Sequence, residues 1–161
     1  MTDLDDLAAR VARALESSGQ VLAAAESCTG GGIAQVVTSR AGSSAWFDRG
    51  YVTYSNDAKR DMLGVSAAAL EAHGAVSEAV VREMASGALR GSATVAVAVS
   101  GIAGPGGATD TKPVGTVCLG WARKSGEVKS LTRHYDGDRA AVRAQAVVDA
   151  LEGVIDILRD N

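Results

Sequence analysis

The feature that most constrains this fold is the apolar run Val21 to Ala25. It passes without a break into Glu26-Ser27-Cys28-Thr29-Gly30-Gly31-Gly32 and then into a helical stretch from Ile33 to Thr38. A run that short, with no polar alternation, reads as a buried strand, and the glycines after it read as a tight turn into a helix N-terminus. The pattern recurs downstream. Phe47 to Tyr54 contains the β-favouring Tyr51, Val52, Thr53 and Tyr54, and Asn56-Asp57 then starts a short helix carrying Lys59. Two strand-turn-helix passages of this kind indicate an α/β chain.

The remaining elements extend that reading. Leu4, Leu7, Ala8, Val11 and Leu15 fall at helical spacing, and Gly19 offers a left-handed stop just beyond them. Ser77 caps a helix that lines up Val80, Met84 and Ala88, with Gly91 past its end. Thr94 to Val99 alternates, with Val95, Val97 and Val99 on one face and Ala96 and Ala98 on the other. From Gly101 to Gly115 the chain carries five further glycines or prolines between two strands, the mark of a long functional loop. Val117, Leu119 and Trp121 alternate in the next strand. Lys124-Ser125-Gly126 then turns the chain into Val128 to Tyr135 as a hairpin, which makes the sheet mixed. Asp138 caps a last helix whose buried stripe is expected to be Ala144, Val147, Val148, Leu151, Ile155 and Leu158.

Composition narrows the class further. With 47% hydrophobic residues over 161 positions, a single domain spanning 1–161 is expected. Aromatics are only 4%, so Ala, Val, Leu and Ile must fill the core, which suits helices packed on a sheet better than an all-β sandwich. A net charge of -3 and no clustered basic run argue against nucleic acid as a partner. The start of the chain, Met1-Thr2-Asp3-Leu4-Asp5-Asp6, is acidic where a signal peptide is basic, and no apolar stretch is long enough to cross a bilayer. The expected setting is therefore the cytoplasm, with no membrane partner. Cys28 and Cys118 have no CxxC or Cys/His spacing, so both are read as free thiols with no zinc site or disulfide framework. Exposed edges in a mixed sheet suggest a homo-oligomer, a dimer or trimer.

Four segments can carry chemistry. Ser27 sits where a strand turns into a helix, a position that exposes a nucleophile among backbone N–H groups that no helical carbonyl satisfies. The competing reading is that Ser27 and Thr29 only cap a helix. A serine needs a base, and His73 and His134 stand in unpromising contexts, so Lys59 is the next choice, with Tyr54 sharing the proton network. A lone helical lysine is otherwise a solvated charge. The loop Gly101-Ile102-Ala103-Gly104-Pro105-Gly106-Gly107 is a candidate anion-binding nest, although it lacks the Lys-Ser/Thr ending of a P-loop. Gly137-Asp138-Arg139 joins a helix N-terminus to a guanidinium that can hold phosphate, and Arg143 follows one turn later.

Taken together, Ala25-Glu26-Ser27-Cys28-Thr29-Gly30-Gly31, Ala41-Gly42-Ser43-Ser44-Ala45-Trp46-Phe47 and Gly50-Tyr51-Val52-Thr53-Tyr54-Ser55-Asn56 with Lys59 resemble the C-terminal domain of the competence/damage-inducible protein CinA. So do His73-Gly74-Ala75-Val76-Ser77, Ser100-Gly101-Ile102-Ala103-Gly104-Pro105, Lys112-Pro113-Val114-Gly115-Thr116-Val117 and Gly137-Asp138-Arg139. The resemblance spans nearly the whole chain, and stand-alone members of that family deamidate nicotinamide mononucleotide. It implies a three-layer α/β/α fold with a mixed, mostly parallel sheet. It also implies Ser27 as nucleophile, with Lys59 and Tyr54 as its catalytic partners. Thr29, Gly30, Gly31, Asn56, Ser100, Gly101, Gly104 and Arg139 are then the expected substrate-binding residues, and turn amides near Thr29 and Gly30 the expected oxyanion holders. No metal or other cofactor is called for. Two other classes stay open: a non-catalytic nucleotide-binding or regulatory module, and a component of a DNA-uptake system.

Overall fold

A computed structural model describes residues 2–159; Met1, at the head of the acidic N-terminal segment, and Asp160 and Asn161 lie outside the described residues. Strands β1 (Leu22–Glu26), β2 (Phe47–Val52), β3 (Val95–Gly101), β4 (Thr116–Arg123) and β5 (Val128–His134) form one sheet in the order β2-β1-β3-β4-β5. β1 runs parallel to both β2 and β3, whereas β4 is antiparallel to β3 and to β5, so β4 alone opposes the common direction. Helices α1 (Leu4–Ser18), α2 (Gly32–Thr38) and α6 (Arg139–Arg159) cover one face, and α3 (Asn56–Leu63), α4 (Ala67–His73) and α5 (Glu78–Gly87) cover the other. The fold is the expected three-layer α/β/α sandwich.

Side-chain alternation sorts the core between the two helical layers. Leu22, Ala24, Val95, Val97, Val99, Val117, Leu119 and Trp121 face α1, α2 and α6, while Ala23, Ala25, Ala96, Ala98, Cys118 and Ala122 face α5. Each fully buried Val or Leu contributes about 1.5–3 kcal/mol by leaving water. The alanine face lets α5 approach closely, and Gly120 completes that surface, since a Cβ there would stand 2.8 Å from the Val81 carbonyl. Gly153 does the same for α6, where Trp121 lies against the helix and donates its indole N–H to the Ala150 carbonyl at 2.9 Å. Among the described residues no helix is long and apolar enough to cross a membrane.

Three details differ from the sequence reading. Helix α4 was not anticipated: Ser66 caps it by accepting from the Ala69 amide (3.1 Å), but Ala69 is its one buried residue, so it carries no apolar stripe to read. In α6, Ala144 is exposed and Val148 half-buried; the buried stripe is centred instead on Val142, Ala146, Ala150 and Val154 together with Val147, Leu151, Ile155 and Leu158. Strand β2 ends at Val52, so Tyr54 leaves the sheet while the Thr53 amide still bonds to the Glu26 carbonyl at 2.8 Å.

Candidate active site

The site grows from the carboxyl ends of two neighbouring parallel strands, where ligands gather in open α/β sheets. Beyond β1, Ser27 continues the pairing with β3 by donating its amide to the Val99 carbonyl at 3.0 Å. Alternation then directs Ser27 toward the α3 layer and sends Glu26 and Cys28 to the other side. Beyond β2, Ser55 caps α3 by accepting from the Ala58 amide (3.0 Å), and this places Lys59 one turn in, on the inner face with Leu63.

Lys59 is 1% exposed, and its Nζ lies 3.0 Å from Ser27 Oγ, 3.0 Å from the Thr53 carbonyl and 3.1 Å from the Tyr54 carbonyl. Among the described residues it has no carboxylate partner. Burial holds its pKa below the ordinary lysine value, because the charged form is poorly solvated there. Three N–H groups of the ammonium satisfy the two carbonyls and Ser27 Oγ; once it has lost a proton, the amine keeps both carbonyl bonds and turns its lone pair to the serine hydroxyl. The arrangement can take a proton from Ser27, as base-assisted nucleophilic catalysis requires.

The adjacent thiol is shifted in the opposite direction. Cys28 is 6% exposed, packs with the α2 and α6 core, and is pushed up to about 11 by burial, which keeps it protonated near neutral pH. Tyr54 joins the network differently from the expectation. Its main-chain carbonyl accepts from Lys59 and, at 3.4 Å, from Ser27 Oγ, whereas the residue as a whole is 63% exposed and its phenol accepts from Arg139 Nη2 at 3.2 Å. Arg139 also donates Nη1 to the Gly104 carbonyl at 2.8 Å, so it bridges the Tyr54 corner and the glycine-rich loop.

These residues surround a cavity of about 250 Å³ lined by Ser27, Lys59, Tyr54, Asn56, Ser100, Gly101, Gly104 and Arg139. A larger cleft, of about 850 Å³, lies between α1 and the end of α6, but neither Ser27 nor Lys59 lines it. Thr29, Gly30 and Gly31 do not line the cavity. The Thr29 hydroxyl instead donates to Glu26 (2.6 Å), and the Gly30 amide is engaged by the Ser27 carbonyl (3.1 Å). Nor is the N-terminus of α2 open to a ligand, because the Ile33 and Ala34 amides donate to the Glu26 carboxylate at 2.9 and 3.1 Å. Arg143 faces this turn rather than the cavity, donating to the Cys28 and Thr29 carbonyls at 3.0 and 3.2 Å.

Sequence reasoning missed the cavity's apolar wall. Ala75 and Val76, on the connection from α4 to α5, stand with Ile102 and Ala103 around the same space. Lys112 ties the two sides together by donating to the His73 carbonyl at 2.6 Å. The one available signal was the sequence His73-Gly74-Ala75-Val76-Ser77, a break between two helices.

Comparison with known proteins decides the family. Residues 4–158 match the CinA C-terminal domain. The chain belongs to the CinA C-terminal domain family. It is 53% identical over 155 residues to the nicotinamide-nucleotide amidohydrolase PncC of Escherichia coli, covering 94% of each chain. It is 49% identical over 158 residues to the protein of the same name from Pseudomonas putida, covering 98% of each. Among solved structures it resembles a CinA superfamily protein of Klebsiella pneumoniae, with a TM-score of 0.94 and 43% identity over 98% of this chain and 99% of that one. The competence/damage-inducible protein CihA of Agrobacterium tumefaciens superposes with a TM-score of 0.93 at 48% identity, covering 99% and 98%.

Proposed function

We propose that this CinA-family chain hydrolyses the carboxamide of nicotinamide mononucleotide to nicotinic acid mononucleotide and ammonia, a salvage step for pyridine nucleotides. The observation that carries the reading is the 3.0 Å contact between Ser27 Oγ and the buried, carboxylate-free Lys59 amine, in a chain about half identical to named nicotinamide-nucleotide amidohydrolases.

In this reading neutral Lys59 removes the Ser27 proton as the oxygen attacks the carboxamide carbon. The tetrahedral intermediate collapses when the amine, now an ammonium, protonates the departing nitrogen, releasing ammonia and leaving a Ser27 ester. Water, deprotonated by Lys59, hydrolyses that ester, restores the serine and frees the acid. Tyr54 supports the amine through its carbonyl and steers Arg139 through its phenol. Arg139 and the Gly101–Gly107 loop hold the phosphate or ribose, since a guanidinium otherwise bonded to a phenol and a carbonyl exchanges them readily for phosphate. Asn56, Ser100, Gly101 and Gly104 contact the rest of the substrate, while Thr29, Gly30 and Gly31 support the turn that carries Ser27.

The chain is further proposed to be one catalytic domain, residues 1–161, working in the cytoplasm as a dimer or trimer with neither nucleic acid nor membrane as partner. Support comes from the open edges of β2 and β5 and from the acidic charge. Light scattering at micromolar concentration reads the assembly. Ammonia release from nicotinamide mononucleotide, with the riboside, free nicotinamide and NAD as controls, tests the activity. Fast release from the mononucleotide alone is expected. Binding of the mononucleotide without ammonia release would favour a regulatory module.

A further inference from the structure

Glu26 immediately precedes Ser27, is 1% exposed, and takes no part in the chemistry described above. A buried carboxylate is costly unless every lone pair facing the protein is used. Its Oε1 accepts from the Thr29 hydroxyl (2.6 Å) and the Ile33 amide (2.9 Å), and its Oε2 accepts from the Ala34 amide (3.1 Å). Its backbone, meanwhile, is the last paired position of β1, with Val52 on one side and Val99 on the other.

Capping alone does not explain this arrangement. A helix is ordinarily capped by its own N-cap side chain, but here that residue is Gly31, at φ 105° and with no side chain to offer. The cap comes from five residues upstream, so Glu26 spans and encloses the turn that holds Ser27. Arg143 grips the Cys28 and Thr29 carbonyls of the same turn from α6, and the Gly30 amide closes onto the Ser27 carbonyl. Glu26 is not bonded to Lys59, which leaves it no part in the proton transfer itself.

We infer that Glu26 is a positioning residue for Ser27: by tying the end of β1 both to Thr29 in the turn and to the Ile33 and Ala34 amides of α2, it fixes where the serine oxygen points. The inference rests on the reading of Ser27 as nucleophile. Misplacing an attacking atom by about 1 Å costs on the order of a hundredfold in rate. Glu26 is the group that prevents it here.

The test is Glu26→Gln in the full chain, which keeps the shape but turns an N–H donor toward amides and a hydroxyl that need an acceptor. The expected kcat for ammonia release falls about tenfold to a hundredfold, with KM within about twofold and the midpoint of the pH profile unmoved. Labelling of Ser27 by an alkyl fluorophosphonate, followed by mass spectrometry, is expected to slow by a similar factor. That readout does not depend on which amide is the substrate. Thr29→Val, which removes one of the three bonds without altering charge, is expected to give a smaller change in the same direction. It carries the test if Glu26→Gln does not fold. Labelling and kcat equal to wild type in a folded variant would overturn the inference, as would a shift of the pH midpoint, which would mean an acid-base role. Failure of wild-type Ser27 to label would instead sink the nucleophile reading, and the positioning role with it.

Discussion

The two strand-to-helix turns that meet at the cavity are built on opposite principles. The turn from β1 to α2 is held from both sides, by Glu26 beneath it and Arg143 above it, with Gly30 and Gly31 in left-handed conformations. The turn from β2 to α3 has an ordinary serine cap, at Ser55, and leaves Tyr54 largely in solvent. The first presents a hydroxyl that must not wander. The second delivers a long flexible amine into a cage of two carbonyls, where burial rather than the turn fixes its position, and it keeps its outer edge free for substrate. The contrast teaches that attacking atom and base can share one cavity while only one of them needs a rigid backbone.

The largest effect is expected where the two turns touch. Ser27→Ala should lower kcat by at least about a thousandfold, on the order of 4 kcal/mol of transition-state stabilisation. Lys59→Ala should resemble it, and the double variant should lose little more, because residues acting as one unit are not additive. Steady-state ammonia release measures all three. Additive losses would mean that serine and lysine act in separate steps.

A smaller and different effect belongs to the substrate side of the second turn. Arg139→Ala should raise KM about tenfold to a hundredfold with little change in kcat, since a ground-state phosphate contact is uniform binding. The preference for the mononucleotide over the riboside should shrink by the same factor, and a pure fall in kcat would remove the phosphate role. Tyr54→Phe should then cost only about two- to fivefold in KM, about the worth of one hydrogen bond to Arg139. If Tyr54→Phe instead abolishes turnover, the phenol swings into the proton network when substrate binds, and the second turn is not passive.

Least is expected from the residue beside the nucleophile. Cys28→Ala should keep most of the activity and lose about 1 kcal/mol of stability by denaturant titration, because a protonated core thiol contributes packing alone. Turnover abolished by Cys28→Ala together with a fully active Ser27→Ala would exchange the roles of the two side chains.

Much of this was legible in the sequence, and for physical reasons. The stripe of α1, the alternation in β3 and β4, and the strand-turn-helix passage at Ser27 are local patterns that burial merely completes. Helix α4 was hidden because a short alanine-rich segment with one buried residue has no periodicity. The burial of Lys59 was hidden for a related reason: a lone lysine on a short helix looks solvated. Its spacing of four from Leu63 was the signal that both share an inner face. The role of Glu26 could not be read at all. Its partners at Ile33 and Ala34 depend on where α2 begins, and the expectation that amides near Thr29 and Gly30 hold an oxyanion gave no hint that a carboxylate of the same turn takes the amides of that helix end.

The central claim is that Lys59, its pKa lowered by burial, is the base that takes the Ser27 proton, so the direct measurement is kcat/KM for ammonia release as a function of pH. Only the deprotonated amine can accept the serine proton, so activity must fall as pH drops through the folded-state pKa of Lys59 and level off above it. Because burial lowers that value, the midpoint of the rise should lie below about 10.4, the ordinary lysine value. A rate whose rise has its midpoint at or above the ordinary lysine value would contradict the account.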